Sequence, residues 1–277
     1  MSFQKVFILS SIALLAISVA WVVRELNPPW LRYQEAYHDW LRAAAPETTP
    51  ASLQAQRFSG LQQVGVQALR RLDRCTTCHP GVADPRAKEA PPMFRFRPVH
   101  AQHPMEKFGC TLCHRGQGRA TEVPEAHGEA PFWDEPLLRG VYLQAACGQC
   151  HREPLPTQAP LLEEGRQLFE VYGCRNCHRL DGRGRQVGPD LAGVGSKAPE
   201  DLMWGDDTGP RTLPIWLLRH FKDPRTFQPN SPMTDFRLND AQATALTIYM
   251  LSLTKLEMPR ALLPSRSRPA PQPEEGA

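Results

Sequence analysis

The chain has no cysteine to spare. All eight fall in four copies of one five-residue pattern, so no thiol is left for a separate disulfide framework. Charge is absent from Val6 to Val23, where only Ser10, Ser11 and Ser18 interrupt the apolar residues. A run apolar on every face at the extreme N-terminus is a poor candidate for a buried core helix. Beyond it, strand signal is sparse, which argues against a sheet-based fold. No basic patch with interleaved aromatics occurs, which excludes a nucleic-acid partner. No Cys-x-x-Cys-Lys occurs, and no methionine stands between Met105 and the third copy of the pattern.

The repeated pattern is Cys-x-x-Cys-His: Cys75, Cys78 and His79; Cys110, Cys113 and His114; Cys147, Cys150 and His151; Cys174, Cys177 and His178. This is the c-type haem attachment motif. Two thiols on one turn can each form a thioether to a haem vinyl group, and the next residue presents its imidazole to the iron. A Cys-x-x-Cys pair also suits zinc or a redox disulfide. Zinc would need a further ligand at every site, and neither alternative explains a histidine after the second cysteine each time. The pattern therefore implies four c-type haems, with His79, His114, His151 and His178 as proximal iron ligands. The ligand-to-ligand spacings are 35, 37 and 27 residues, short enough to pack haems close together.

Such haems are attached outside the bacterial cytoplasmic membrane, so an export signal is required. Lys5, the Val6–Val23 run and Arg24-Glu25 supply one. Ser18-Val19-Ala20 is an acceptable cleavage site. However, the apolar run continues through Trp21-Val22-Val23, which favours a retained anchor. The expected placement is a single N-terminal anchor in the bacterial cytoplasmic membrane, with the haem domains on the periplasmic side. Haem propionates would offset the formal charge of +3, so that charge identifies no partner.

The expected fold class is mainly α with extensive loops: an N-terminal transmembrane helix, a loop-rich trihaem domain and a C-terminal helical domain. Residues 1–26 are read as the anchor. Residues 27–72 form a helical lead in which Trp30, Tyr33, Tyr37 and Trp40 share one face. Residues 73–155 carry three haem motifs, residues 160–256 carry the fourth, and residues 257–277 form a tail read as disordered from Pro259 on its Pro, Ser, Arg and Glu content. The 28 prolines suit loops that wrap haem, because the cofactor itself supplies apolar core.

Residues 160–256 resemble a class I cytochrome c. The N-terminal helix is expected over Leu161–Tyr172, with Gly165 and Phe169 at the family's Gly-x-x-x-Phe positions. A C-terminal helix over Leu238–Leu253 would cross it there, with Tyr249 as aromatic partner. Gly188-Pro189-Asp190-Leu191 and Gly193-Val194-Gly195 match the loop after the haem motif. The resemblance implies that the Pro189 carbonyl accepts the Nδ1 proton of His178. It also makes Met233, between the helix Leu213–Phe221 and the last helix, the distal ligand of the fourth haem. His220 falls inside that middle helix and reads as a surface or core histidine.

The segment from Asp73 to His151 resembles multihaem cytochromes associated with quinol-oxidising cytochrome b complexes. The matching residues include Asp73-Arg74-Cys75, Phe108-Gly109-Cys110, Gly116-Gln117-Gly118 and Ala126-His127-Gly128. Met93 lies in a proline-rich loop and Met105 sits too near Cys110, so histidines are expected as the distal ligands of the first three haems. This argues against a reaction-centre tetrahaem subunit, in which helical methionines precede most motifs. His100, His103 and His127 are the candidates, with His38 as the replacement.

The leading expectation is electron transfer from a quinol-oxidising cytochrome b complex, or another respiratory membrane complex, to a soluble carrier or terminal oxidase. The alternative is a multihaem oxidoreductase with one open iron, of the nitrite, hydroxylamine or peroxidase type. An enzyme needs an open iron and nearby acid–base groups. Ligands here suffice to close all four irons, which sets the carrier ahead of the enzyme. A sensor or assembly scaffold would have little use for four haems.

Overall fold

Apolar patterning and proline placement divide the chain into short helices joined by long loops. The structure, a computed structural model, describes residues 2–44, 60–131 and 133–264, and the backbone but not the side chain of His100. The described residues are mostly helical. They fall into two compact units: Met1–Val64, Arg74–His103 and Ala120–Glu122 form one, and Gly65–Asp73, Pro104–Arg119 and Val123–Ala277 the other. The first motif lies in the first unit, and the other three lie in the second.

In the first unit, helix α1 (Phe3–Leu26) buries none of its side chains. It is long and apolar enough to cross a membrane. Pro28 and Pro29 cannot continue it, and a new helix, α2 (Leu31–Ala44), begins just beyond them. Three of the four aromatics expected on one face of α2 share it, while Trp30 lies before the helix and outside their cluster. Tyr37 is fully buried, and Tyr33 and Trp40 pack around it with Phe94 and Phe96. The Tyr37 ring lies 5.5 Å from that of Phe94, and its hydroxyl donates to Asp84 Oδ2 at 2.9 Å. A Cβ on Gly81 would sit 2.2 Å from the Phe94 carbonyl oxygen and 2.7 Å from the Tyr37 ring, so only glycine fits. One turn earlier on α2, Gln34 Nε2 donates to the Thr77 carbonyl inside the first motif at 3.1 Å. The lead helix is thus packed against the turn of the first motif.

The lead read as helical to residue 72 is helical only over α2 among its described residues apart from a short 3-10 turn, because its end forms strands β1 (Val64–Val66) and β2 (Arg71–Asp73), which pair in a two-stranded sheet. Short helices follow: α3 (Val99–Gln102), α4 (Met105–Phe108), α5 (Thr111–His114), α6 (Val123–Ala126) and α7 (Gln144–Cys147). The long helices of the second unit are α8 (Pro160–Val171), α9 (Leu213–Lys222) and α10 (Asp240–Ser252). They lie within a residue or two of the expected limits. Pro160 opens α8 at a position where its missing N–H costs nothing. Asn239 and Gln242 form a reciprocal capping box at the start of α10.

Helix α10 crosses α8 at Gly165. A Cβ there would lie 2.2 Å from the Ala245 carbonyl oxygen and 2.8 Å from Tyr249 Cβ. Phe169 and Tyr249 meet edge to face, with ring centroids 5.4 Å apart. The same buried cluster takes in Leu138 and Ala145 from the third-motif segment, beside Leu162, Leu246 and Leu251. Gly148, inside the third motif, approaches Ser252 so closely that a Cβ would fall 2.7 Å from the serine Cβ. The division read from the sequence between 155 and 160 runs inside this unit, because α7 and its haem motif share the core of α8 and α10.

The expected disorder from Pro259 meets a structured turn at Arg260–Leu262. Leu262 is buried with Phe108 and Leu112, an apolar anchor that the tail's polar composition conceals. Residues 45–59 of the lead and 265–277 of the tail lie outside the described residues.

Replacing Gly165 with alanine should therefore force α8 and α10 apart. A loss of about 1–3 kcal/mol is expected from overpacking of this kind. Thermal unfolding of the haem-loaded protein followed by circular dichroism measures it.

Candidate haem sites

All four motifs make the same turn. The histidine N–H bonds to the carbonyl of the first cysteine at 2.9 Å in the first, third and fourth motifs and at 3.0 Å in the second. The second-cysteine N–H reaches the same carbonyl at 3.1 to 3.3 Å. This bifurcated arrangement places both thiols and the imidazole on one tight turn, the geometry that haem attachment needs. No disulfide joins the cysteines of the four motifs. Burial pushes Cys78, Cys113 and Cys174 up to about 11 and raises Cys147 and Cys150. A redox-active pair needs a depressed thiol instead. No cluster of three His, Cys, Asp or Glu suited to a metal ion occurs among the described residues. The donor set thus fits covalent haem.

Two of the four motif histidines have visible orienting partners. His178 Nδ1 lies 2.8 Å from the Pro189 carbonyl oxygen, as the class I resemblance implies. His79 Nδ1 lies 2.8 Å from the Met93 carbonyl oxygen. Each contact lets Nδ1–H donate to a carbonyl, which leaves Nε2 with its lone pair for iron and raises its basicity. Met93 was set aside in the sequence as a side-chain ligand; its backbone is what reaches the site. Gly188 makes room for the fourth imidazole, since a Cβ there would lie 2.6 Å from His178 Cε1.

The second motif is held by a residue whose role no pattern announced. Asp73 is 1% exposed. Its Oδ2 accepts from the backbone N–H groups of Cys110 at 2.5 Å and Thr111 at 2.9 Å, and its Oδ1 from the Thr111 hydroxyl at 2.7 Å. It caps the first turn of α5 from a distance in sequence. The glycines around the motif make space for it: a Cβ on Gly109 or Gly118 would fall 2.6 Å or 2.1 Å from the carboxylate. Arg115, directly after His114, is buried with φ +59°. Its Nη2 donates to the carbonyls of Gly195 at 3.1 Å and Leu251 at 3.0 Å. Burial lowers its guanidinium pKa. It ties the second motif to the end of α10. Helix α5 of the second motif packs against α7, which leads into the third, so the two motifs are neighbours.

The distal candidates are placed unequally. His127 belongs to the second unit. Its carbonyl accepts from Leu137 N–H, and Leu138 N–H in turn reaches the His114 carbonyl, so one short segment links His127 to the second motif. His103 and the backbone of His100 lie at α3 in the first unit, with the first motif. The His103 Nδ1 is 3.3 Å from the Val99 carbonyl oxygen. The His100 side chain lies outside the described residues. His38 sits half-buried on α2.

At the fourth site, Met233 stands on the loop before α10. Its Sδ lies 3.2 Å from Nε2 of His220, which is partly buried on α9. The His220 ring stacks on Trp216 at 4.7 Å, and Trp216 stacks in turn on Phe227 at 5.7 Å. Burial pushes the imidazole of His220 down to about 4, and the nearby His178 adds to that. The core alternative read for His220 thus holds for burial, but its Nε2 meets the expected ligand sulfur. The only sequence signal was a polar residue one turn after Trp216.

Changing Asp73 to alanine should leave two buried N–H groups without a partner, at a cost of roughly 1–3 kcal/mol each. The second haem is expected to be lost selectively, with Asp73→Asn retaining more. Peptide mass mapping of haem attachment reads this site by site.

No curated protein and no solved structure matches the chain. Residues 162–254 match the family model described as Cytochrome c. The segment built from α8, α9, α10 and the fourth motif is therefore a cytochrome c domain, which supports covalently bound c-type haem and haem-based electron transfer.

Proposed function

We propose that the protein is a membrane-anchored tetrahaem c-type cytochrome that carries electrons. Its donor would be a quinol-oxidising cytochrome b complex or another respiratory membrane complex, and its acceptor a soluble carrier or terminal oxidase. The observation that carries this reading is the repetition of one backbone turn at all four motifs. A turn that recurs in a matched cytochrome c segment and in three unmatched ones supports the same cofactor in each. Helix α1 supports the anchor by length and composition, with the haem domains on the periplasmic side of the bacterial cytoplasmic membrane.

Covalently bound haem supplies one-electron redox chemistry; the chain supplies ligands and surroundings. His79, His114, His151 and His178 are the proximal ligands. Met233 is the distal ligand of the fourth haem, and His100, His103 and His127 serve the other three. A neutral thioether favours the ferrous state and raises a haem's potential relative to imidazole. The fourth site is then the high-potential end and the three bis-His sites the low-potential end. Electrons run downhill from the anchor side toward residues 162–254.

Intact mass of the mature chain should exceed the polypeptide mass by four haems. Carbon monoxide added to the reduced protein should leave the spectrum almost unchanged, because every iron has two protein ligands. A large carbon monoxide response would favour an enzyme with an open site. Met233→His should lower the potential of the fourth haem while the other three hold theirs, as read by a spectroelectrochemical titration.

A further inference from the structure

We propose that the fourth haem has a reserve distal ligand, His220, which takes the iron when the Met233 thioether is withdrawn. The inference rests on the reading of residues 162–254 as a haem domain with His178 proximal. It goes beyond that reading, in which Met233 alone closes the distal side.

Three observations carry it. The first is aim: His220 Nε2 meets Met233 Sδ at 3.2 Å, so the imidazole nitrogen points at the atom that would occupy the sixth position. The second is fixation. His220 sits within the last turn of α9 and lies nearly parallel to Trp216, with 10° between the rings. Trp216 is itself held, because its Nε1–H donates to the Met203 carbonyl at 2.8 Å and its ring stacks on Phe227. The third is unequal tethering. Met233 sits outside any helix, where its N–H reaches only the Ser231 hydroxyl, at 3.3 Å. His220 is held by a helix and a stacked ring and Met233 by a loop, so movement of the loop would take away the sulfur, and a side-chain rotation of His220 would bring its nitrogen into the place left.

The chemistry favours the exchange. Imidazole is a good ligand to iron in both oxidation states and lowers the potential relative to thioether. A cytochrome with both groups at one site therefore has two potentials available, set by the position of one loop. Ligand exchange would need no other reactant: the iron would give up the Met233 thioether for the His220 imidazole, and any proton on Nε2 would move to solvent or to Nδ1.

The test uses the full-length haem-loaded protein. In Met233→Ala the fourth haem should stay low-spin and six-coordinate by electron paramagnetic resonance. It should gain no carbon monoxide binding, and its potential should fall toward those of the other three. Met233→Ala combined with His220→Ala should open a single haem, seen as a high-spin ferric signal and carbon monoxide uptake in the ferrous protein. His220→Ala alone should keep the methionine–iron charge-transfer band. An open fourth haem in Met233→Ala alone would overturn the proposal. If instead the unmodified protein lacks the methionine band and His220→Ala alone opens the haem, the Met233 assignment fails and His220 is the ordinary ligand. Met233→Leu, which keeps the apolar bulk of the loop, gives the same readouts should the alanine variant not mature.

Discussion

The bond from each motif histidine N–H to the carbonyl of its first cysteine is the constraint on which the rest of the chain depends. It closes one tight turn. Two thiols and an imidazole are then delivered by five residues, whether the turn stands alone, as at the first and fourth motifs, or lies in a four-residue helix, as at the second. That economy explains how so much of the chain can be irregular: the turn needs only five residues, and the surroundings need only hold it. They do so with single polar groups reaching in from elsewhere. Gln34 reaches the first turn, Asp73 the second, and Arg166 donates to the His151 carbonyl at the third.

The legible part of the chain followed from periodicity and motif spacing. The three long helices of residues 160–256 were bounded to within a residue or two, because Gly165, Phe169 and Tyr249 constrain one crossing. The buried face of α2 was equally clear from its aromatic spacing. What stayed hidden was action at a distance. Asp73 precedes the first motif by two residues but serves the second, and no local pattern reports a bond across 37 positions. Arg115 looked like a residue after a ligand, and its partners are backbone carbonyls, which have no sequence signature. The same holds for Met93, whose contribution is its carbonyl oxygen.

The glycines around the second motif give a physical meaning to residues that at first only supported a resemblance. Gly109 and Gly118 flank a buried carboxylate that leaves no space for a methyl group. Their requirement is therefore set by Asp73, and the three residues form one unit. Arg115 extends that unit to the end of α10, so one side chain ties the second motif to the domain of the fourth, although their first cysteines lie 64 residues apart.

The proposed direction of electron flow depends on a difference between sites, and the structure narrows where that difference can arise. His79 and His178 make the same contact on the proximal side, a carbonyl oxygen 2.8 Å from Nδ1. With both histidines as iron ligands, as proposed, these contacts would act on the two haems in the same sense. A potential gap between the first and fourth haems would then come chiefly from the distal side and from burial, which already differs between the two histidines. At the fourth site a loop thioether and a helical imidazole meet, the two side chains proposed to compete for the distal position. The loop from Asn230 to Phe236 would then set one of the two contributions to the gap, with burial as the other.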